Sequence, residues 1–257
     1  PRVKDRAVAG GGRLQGEVRV PGDKSVSHRA LILGALAEGE TVIEGLSSGA
    51  DVASTRSCLE TLGVEISGEA PSVRVRWRGL GGLKAPAWPL DAGNSGTTMR
   101  LLSGVLAGHP FASQFIGDEA LTRRPMRRVA EPLRLMGATI GLSEAETPPI
   151  SIAGGSLKGI EYTTPMASAQ VKSAILLAGL HAAGETTVVE PAATRDHTER
   201  MLAAFGVPVR LTGLKATVSG GSRLKASKVQ IPGDPSSAAF WVVAATLAPG
   251  SELSVRG

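Results

Sequence analysis

The sequence predicts an α/β protein built from repeated units, and three observations support this. Helix-like runs of small apolar residues alternate with short strand-like runs. The alternation recurs about every 70 residues, which is typical of repeat architectures. Most of the helix-like runs are followed by glycine, a common residue at the end of a helix. Each unit is interpreted as strand, helix, strand, helix, strand, strand, arranged about a pseudo-threefold axis, and not as a doubly wound sheet.

The three predicted units span residues 25–66, 96–140 and 168–209. In each unit a glycine is expected in the turn after the first helix and another after the second. These residues are Gly39, Gly63, Gly108, Gly137, Gly184 and Gly206. Strand-like stretches follow the second helices, at residues 73–77, 150–152 and 214–219, with further ones at 160–163 and 228–231.

A fourth unit begins at Ser236, and the chain ends after the strand that follows its first helix. The sequence Pro-Gly-Asp stands before both the first and the fourth unit, at residues 21–23 and 232–234. We interpret the two copies as two crossings of one domain boundary. Residues 21–232 are therefore predicted to form a complete domain. Residues 1–20 and 233–257 are predicted to be pieces of a second domain whose remainder lies outside this chain.

The composition favours an anionic ligand and argues against nucleic acid and membrane. The 257 residues carry a formal net charge of +5, but aromatic residues make up only 3%, too few for stacking on bases. The longest apolar run, residues 238–248, is too short to span a bilayer. One cysteine, Cys58, suits a reducing compartment, and residues 1–14 lack the apolar core of a signal peptide. A soluble, cytoplasmic protein is expected.

The start of the first predicted helix carries the first candidate site. A strand over residues 16–20 and a Pro-Gly-Asp turn precede it, so Lys24, Ser25 and Arg29 fall in the first turns. Backbone N–H groups there lack partners within the helix and the dipole is positive, which suits a phosphate. From this stretch alone a second interpretation stays open, in which the helix is capped, lies on the surface and carries ordinary solvated charges.

The corresponding helices of the second and third units also begin with polar residues. In the second unit Asn94 and Thr97 can cap the helix, and Gly96 allows a ligand close to the backbone. The third unit offers residues 168–172, with the sequence Ser-Ala-Gln-Val-Lys. A pseudo-threefold axis would bring the three helix starts to one surface, where their combined potential suits a ligand with several anionic groups.

Two arginines are predicted to precede helices. Pro125 is expected at the first position of a helix that ends at Gly137, so Arg124 stands just before it. Arg195 stands before a helix that Asp196 or Thr198 can cap. A cation at a helix start is unfavourable unless an anion is present. The histidines lack metal-ligand spacing to one another or to Cys58, and no metal or other cofactor is expected.

Six segments together resemble the enolpyruvyl transferase family, in the branch that acts on shikimate 3-phosphate and in its bacterial class II form. They are residues 21–29, 93–97, 122–126, 168–172, 194–198 and 232–237, and the resemblance runs from about Leu14 to the last residue. It implies an inside-out α/β barrel of βαβαββ units in each of two domains, which close on the substrates. Ser95 stands where alanine is usual in this family.

The resemblance also implies the reaction and its residues. The enolpyruvyl group passes from phosphoenolpyruvate to the 5-hydroxyl of shikimate 3-phosphate, with release of phosphate and without a metal. Gly96 lines a pocket that the inhibitor glyphosate shares with phosphoenolpyruvate. By motif position the residues that bind shikimate 3-phosphate are Lys24, Ser25, Arg29, Ser168, Ala169, Gln170 and Arg195, those that bind phosphoenolpyruvate are Lys24, Asn94, Gly96 and Arg124, and Lys24 is the catalytic candidate.

The resemblance places the proton-handling carboxylates in the second domain, beyond residue 257, so the C-terminal remainder of the same enzyme is an expected partner. Two alternatives stay open. One is the related enzyme that acts on UDP-N-acetylglucosamine, which has asparagine where this chain has Ser25 and carries a reactive cysteine in a loop. The other is a non-catalytic module that binds anions at the same helix starts.

Overall fold

The computed structural model describes residues 12–257. The predictions that concern residues 1–11, including most of the N-terminal piece of the second domain, lie outside the described residues. The helices are α1 (Lys24–Gly34), α2 (Ala50–Thr61), α3 (Gly96–Ala107), α4 (Arg127–Met136), α5 (Ala169–Gly179), α6 (His197–Ala204) and α7 (Pro235–Leu247). Within the described range, none of them is long and apolar enough to cross a membrane.

The strands alternate with these helices along the chain. In order they are β1 (Gln15–Arg19), β2 (Ala37–Glu44), β3 (Glu65–Glu69), β4 (Ser72–Arg78), β5 (Leu90–Asp91), β6 (Ala112–Ile116), β7 (Thr139–Gly141), β8 (Ile150–Ala153), β9 (Leu157–Lys158), β10 (Glu161–Thr163), β11 (Ala182–Ala183), β12 (Glu185–Val189), β13 (Arg210–Thr212), β14 (Lys215–Ser219), β15 (Leu224–Lys225), β16 (Lys228–Gln230) and β17 (Glu252–Arg256). The strand-like stretches predicted after the helices are confirmed, with ends shifted by a few residues.

Three helices form the centre of the molecule and three sheets of four or five strands form its outside, and two further sheets have two strands each. The central helices α1, α3 and α5 are buried on nearly all sides, as expected for helices that are apolar around their whole circumference. The outer helix α4 buries only one stripe, which includes Val129, Leu133 and Met136. Strands such as β4 alternate between buried and exposed residues, so each sheet turns one face to the helices and one to solvent.

The three sheets repeat one pairing pattern. In the second unit β5 runs parallel to β6, and β6 and β8 are antiparallel, as are β8 and β7. The third unit repeats this with β10, β12, β14 and β13. In the first unit the parallel partners of β2 are β15 and β16, which both come after the third unit in the chain. The last strand of the block therefore completes the first sheet.

The two Pro-Gly-Asp segments lie side by side. Gly22 and Gly233 form an antiparallel bridge, and the Asp23 and Asp234 amides donate to the carbonyls of Pro232 and Pro21 at 2.8 and 2.9 Å. Beyond this crossing, β1 pairs with β17 in parallel, and α7 has no buried residue. The division into 21–232 and the two flanking pieces stays a prediction.

Two local predictions were wrong. Gly39 lies inside β2, at a φ of 109°, and not in a turn. Pro125 does not start α4: Met126 is the N-cap residue, its carbonyl accepts from the Val129 and Ala130 amides at 3.0 and 3.1 Å, and the helix begins at Arg127. The helix-end glycines Gly63, Gly137 and Gly206 were predicted correctly: each adopts a positive φ after its helix, a conformation that favours glycine.

Helices α3 and α5 pack directly against each other, and their close approach depends on Gly104. A Cβ atom on Gly104 would lie 2.1 Å from the carbonyl oxygen of Ala174. This neighbour is backbone and cannot rotate away. The sequence places glycine here because the two central helices could not otherwise approach each other.

We therefore expect Gly104→Ala to lower the free energy of unfolding by about 1–3 kcal/mol, the usual cost of overpacking a core. The measurement is denaturant unfolding followed by circular dichroism. Gly155→Ala is the matched control, since a Cβ there meets nothing within 4 Å and its φ is not in the left-handed region. Equal unfolding midpoints for the two variants would contradict the close-contact interpretation.

Candidate active site

A cleft of about 580 Å³ brings together three of the residues predicted to bind ligand. Lys24 and Ser25 from the start of α1 and Arg195 from the segment before α6 line one side. Asp234, Ser236 and Ser237, at the start of α7, line the other. The cleft thus lies between the three-unit block and the segment that follows it, and its lining carries the cations Lys24 and Arg195 and the carboxylate residues Asp23 and Asp234.

The start of α1 is fixed by its cap. The carboxylate of Asp23 accepts a hydrogen bond from the Val26 amide at 2.8 Å, so the Pro-Gly-Asp turn leads directly into the helix. Lys24 follows the cap, and its ammonium lies 3.0 Å from a carboxylate oxygen of Asp51 on α2. The Lys24 side chain is 54% exposed, so an anion in the cleft can reach it.

Arg29 lies deeper than its sequence position suggests. Its side chain is nearly buried, and its nitrogens donate to Ser25 Oγ at 2.9 Å, Thr198 Oγ1 at 2.7 Å and Ser173 Oγ at 2.7 Å. Burial lowers the pKa of Arg29 to about 10, which leaves it charged at neutral pH. Arg29 therefore joins α1, α5 and α6, and the prediction that it also contacts a ligand stays a prediction.

The start of α3 is capped by a different residue from those predicted. Ser95 Oγ accepts from the Thr98 amide at 3.1 Å, so neither Asn94 nor Thr97 is the cap. Asn94 instead accepts from Arg124 Nη2 at 2.6 Å and donates to Asp118 Oδ2 at 2.7 Å. Asn94 thereby orients Arg124, and the hydrogen bond from Asn94 holds the pKa of Asp118 below its usual range.

Gly96 is the first residue of α3, and two arginines lie over it. A Cβ at this position would be 2.6 Å from Arg100 Nη1 and 3.2 Å from Arg124 Nη1. Sequence reasoning did not select Arg100, although it lies one helical turn after Gly96 and therefore on the same face. Burial, with further contributions from the charges of Arg124 and Arg128, lowers the pKa of Arg100. The positive charges crowded around Gly96 favour a bound anion.

Arg100 also links the second and third units. Its Nη1 donates to Gln170 Oε1 at 2.8 Å, and Gln170 Nε2 donates to Thr97 Oγ1 at 2.8 Å. Ser168 caps α5 by accepting from the Val171 amide at 3.4 Å, and Ala169 is the first residue of that helix. The starts of α3 and α5 are therefore joined by side chains, as the pseudo-threefold arrangement predicts.

A chain of buried hydroxyl groups runs beneath the helix starts. His28 Nδ1 lies 2.6 Å from Thr55 Oγ1, which is 2.6 Å from Thr98 Oγ1, and Thr98 Oγ1 donates to Ser95 Oγ at 2.7 Å. All four side chains are fully buried. Burial lowers the pKa of His28 to about 3, so the imidazole is neutral near pH 7. The chain connects α1, α2 and the cap of α3.

The buried histidine gives a testable dependence on pH. Between about pH 6.5 and pH 3 the unfolded state binds a proton at His28 and the folded state does not. The free energy of unfolding should therefore fall as the pH drops through this window, by about 1.4 kcal/mol per pH unit once the pH is well below 6.5. His181, whose pKa burial also lowers to about 3, adds a contribution of the same sign.

Denaturant unfolding at pH 7, 6, 5 and 4 measures this effect, with His28→Asn as the comparison. The variant lacks the titrating ring and should lose stability less steeply below pH 6.5. Both proteins should show the same dependence between pH 7 and pH 8, where His28 is neutral in both states. An unchanged slope in the variant would contradict the low pKa.

Comparison with known proteins decides the family. Residues 8–257 match the family model described as EPSP synthase (3-phosphoshikimate 1-carboxyvinyltransferase). The chain belongs to the EPSP synthase family. A relative from Methylococcus capsulatus, named 3-phosphoshikimate 1-carboxyvinyltransferase, is 56% identical over 248 residues, which cover 96% of this chain and 57% of the relative. A relative of the same name from Halorhodospira halophila is 58% identical over 251 residues, covering 97% and 56%.

Solved structures of this family share the fold. The structure of EPSP synthase from Acinetobacter baumannii aligns with a TM-score of 0.88 and 52% identity, over 95% of this chain and 56% of that one. The predicted α/β fold and the predicted family are confirmed. The chain spans less than two thirds of the length of these relatives.

The related family branch with a reactive loop cysteine is not favoured. Cys58 is buried within α2, and its Sγ lies 3.4 Å from the Asp91 carbonyl. Burial raises the pKa of Cys58 to about 12, so the thiol is protonated and unreactive at neutral pH. Among the described residues, no group of three histidine, cysteine, aspartate or glutamate side chains is placed to hold a metal ion.

Proposed function

We propose that this chain forms part of an enzyme that transfers the enolpyruvyl group from phosphoenolpyruvate to the 5-hydroxyl of shikimate 3-phosphate. The observation that carries the proposal is that Lys24, Ser25 and Arg195 line one cleft in a member of the EPSP synthase family. The transfer forms a bond to the 5-oxygen and releases inorganic phosphate. Both substrates and the departing phosphate are anionic, which suits the two cations of the cleft, Lys24 and Arg195.

In this proposal shikimate 3-phosphate is bound by the starts of α1 and α5. Arg195 and Lys24 supply charge-assisted hydrogen bonds, which are stronger than bonds between neutral groups. Ser25 and Gln170 supply polar groups beside them, and Arg29 holds Ser25 at 2.9 Å. Ser168 and Ala169 complete the proposed set at the start of α5.

Phosphoenolpyruvate is proposed to bind between Lys24 and the start of α3. Arg124, held by Asn94, is the proposed partner of one of its anionic groups, and Gly96 leaves the room for it. Lys24 is the proposed catalytic residue, since its ammonium can stabilise the negative charge on the departing phosphate. Asp51 holds that ammonium 3.0 Å away and belongs to the site on this account.

We also propose that residues 21–232 are one domain and that residues 1–20 and 233–257 belong to a second. The closure of the first sheet by β16 and the bridge between Gly22 and Gly233 support this division. The exposed apolar residues of α7, Phe240 and Leu247 among them, support a partner surface from the remainder of the same protein. A cytoplasmic location is proposed because a single cysteine suits a reducing compartment.

The first prediction from this proposed function concerns substrate binding. Arg195→Ala and Lys24→Ala should each weaken binding of shikimate 3-phosphate about tenfold or more, since a hydrogen bond to a charged group contributes about 1.5–3 kcal/mol. Isothermal titration calorimetry on the chain measures it. Arg210→Ala is the control, because Arg210 is an exposed arginine paired with Glu185 on the outer sheet.

Unchanged affinity for shikimate 3-phosphate in both Lys24→Ala and Arg195→Ala would contradict the assignment of the cleft as its binding site. The same titration with UDP-N-acetylglucosamine tests the alternative substrate and should show no binding. Binding of inorganic phosphate alone, with no gain from the shikimate ring, would favour the anion-binding module.

The second prediction concerns turnover. The chain alone should not release phosphate from the two substrates, because the proposed acid and base groups lie in the remainder of the protein. Adding that remainder as a separate polypeptide should restore phosphate release in a colorimetric assay. Sustained turnover by the purified chain would show that its own residues supply the proton transfers.

The third prediction concerns Gly96 in the complete enzyme. Gly96→Ala should relieve inhibition by glyphosate, at some loss of affinity for phosphoenolpyruvate. The added methyl group would meet Arg100 Nη1 at 2.6 Å, and this flexible side chain can shift at the expense of its hydrogen bond to Gln170. Inhibition is compared at matched phosphoenolpyruvate saturation, with Gly155→Ala as control. Equal inhibition of all three proteins would show that Gly96 does not set the size of the pocket.

A further inference from the structure

Arg195 has no regular element of its own to hold it in place. It lies in the segment 190–196, which connects β12 to α6 and contains no helix or strand. Asp196 stands at the N-cap position of α6, but its side chain makes no capping hydrogen bond. An arginine in such a segment samples many conformations unless contacts fix the backbone on either side of it.

Lys172 supplies these contacts on both sides. Its ammonium lies 2.7 Å from a carboxylate oxygen of Glu190, at the beginning of the segment, and 2.6 Å from one of Glu199, in the first turn of α6. All three side chains are at most 6% exposed. Thr194, the neighbour of Arg195, donates from Oγ1 to the other oxygen of Glu190 at 2.5 Å. One ammonium thus ties both ends of the segment to α5.

The two carboxylates favour the charged form of the Lys172 ammonium. Burial lowers the pKa of Lys172, but hydrogen bonds to Glu190 and Glu199 outweigh it and leave the pKa raised. Arg29 adds a second cation near Glu199, whose charge partly offsets the lowering of the Arg29 pKa by burial. Two buried cations therefore face two buried carboxylates, and loss of any one leaves an uncompensated charge.

The geometry connects this cluster to the ligand residues. Lys172 follows Gln170 on α5, so the cluster ties the Arg195 segment to the helix whose start carries Ser168 and Gln170. We propose that Lys172, Glu190 and Thr194 are positioning residues that set Arg195 for binding the phosphate of shikimate 3-phosphate. This inference rests on the proposed function of Arg195.

Thr194 offers the mildest test, because Thr194→Val removes one hydroxyl group and leaves the buried charges in place. We expect this variant to bind shikimate 3-phosphate about three- to tenfold more weakly in calorimetry, the effect of one lost hydrogen bond. Thr194→Ser should restore wild-type affinity. Thr61→Val is the control, since its hydroxyl bonds a backbone carbonyl on the surface of α2. Lys172→Gln should have a larger effect in the same direction.

A double-mutant cycle with Arg195→Ala separates positioning from general stability. If Thr194 acts through Arg195, Thr194→Val should have no further effect on affinity in the Arg195→Ala background. An equal loss in both backgrounds, or wild-type affinity in Thr194→Val and Lys172→Gln, would overturn the proposal. If Arg195→Ala itself binds as tightly as wild type, the assignment of Arg195 fails, and the positioning role fails with it. A loss in Arg195→Ala with none in Thr194→Val or in Lys172→Gln overturns the positioning role and leaves the assignment of Arg195 in place.

Discussion

The arrangement of the helix starts depends on the buried guanidinium of Arg29. It bonds Ser25 on its own helix, Ser173 on α5 and Thr198 on α6, and so sets the spacing of three helices at the end that faces the cleft. A buried charge is costly unless it is paired and hydrogen-bonded. Glu199 lowers that cost, and its tie to Lys172 carries the same network to the segment that bears Arg195.

The sequence predicted where the helices and strands lie better than it predicted which strands pair with each other. Runs of small apolar residues and glycines that end helices are local signals, and α1 through α6 follow them with small shifts in their ends. The pairing of β16 with β2 leaves no local signal, because the two strands lie at opposite ends of the three-unit block. Gly39 shows the same limit: a glycine inside a bent strand and a glycine in a turn look alike in sequence.

For the candidate site, the cleft brings together Lys24, Ser25 and Arg195, and the predicted residues at the starts of α3 and α5 do not line it. The sequence could not predict which side chains would hydrogen-bond to each other. Asn94, Ser95 and Thr97 all have side chains that cap helices, and packing decides that Ser95 is the cap while Asn94 holds Arg124. Arg100 was missed because its role depends on Gln170, which lies in another unit.

The strand β16 is synthesised long after β2, with which it pairs, and this order has a consequence for the growing chain. Until residues 224–230 have left the ribosome, β2 lacks its parallel partners β15 and β16, and its backbone N–H and C=O groups on that side lack their strand partners. Long-range strand pairing of this kind is slow and exposes an edge to other chains. A nascent chain that stalls before residue 224 would carry that open edge, which makes the first unit, although made first, the last to be protected from aggregation.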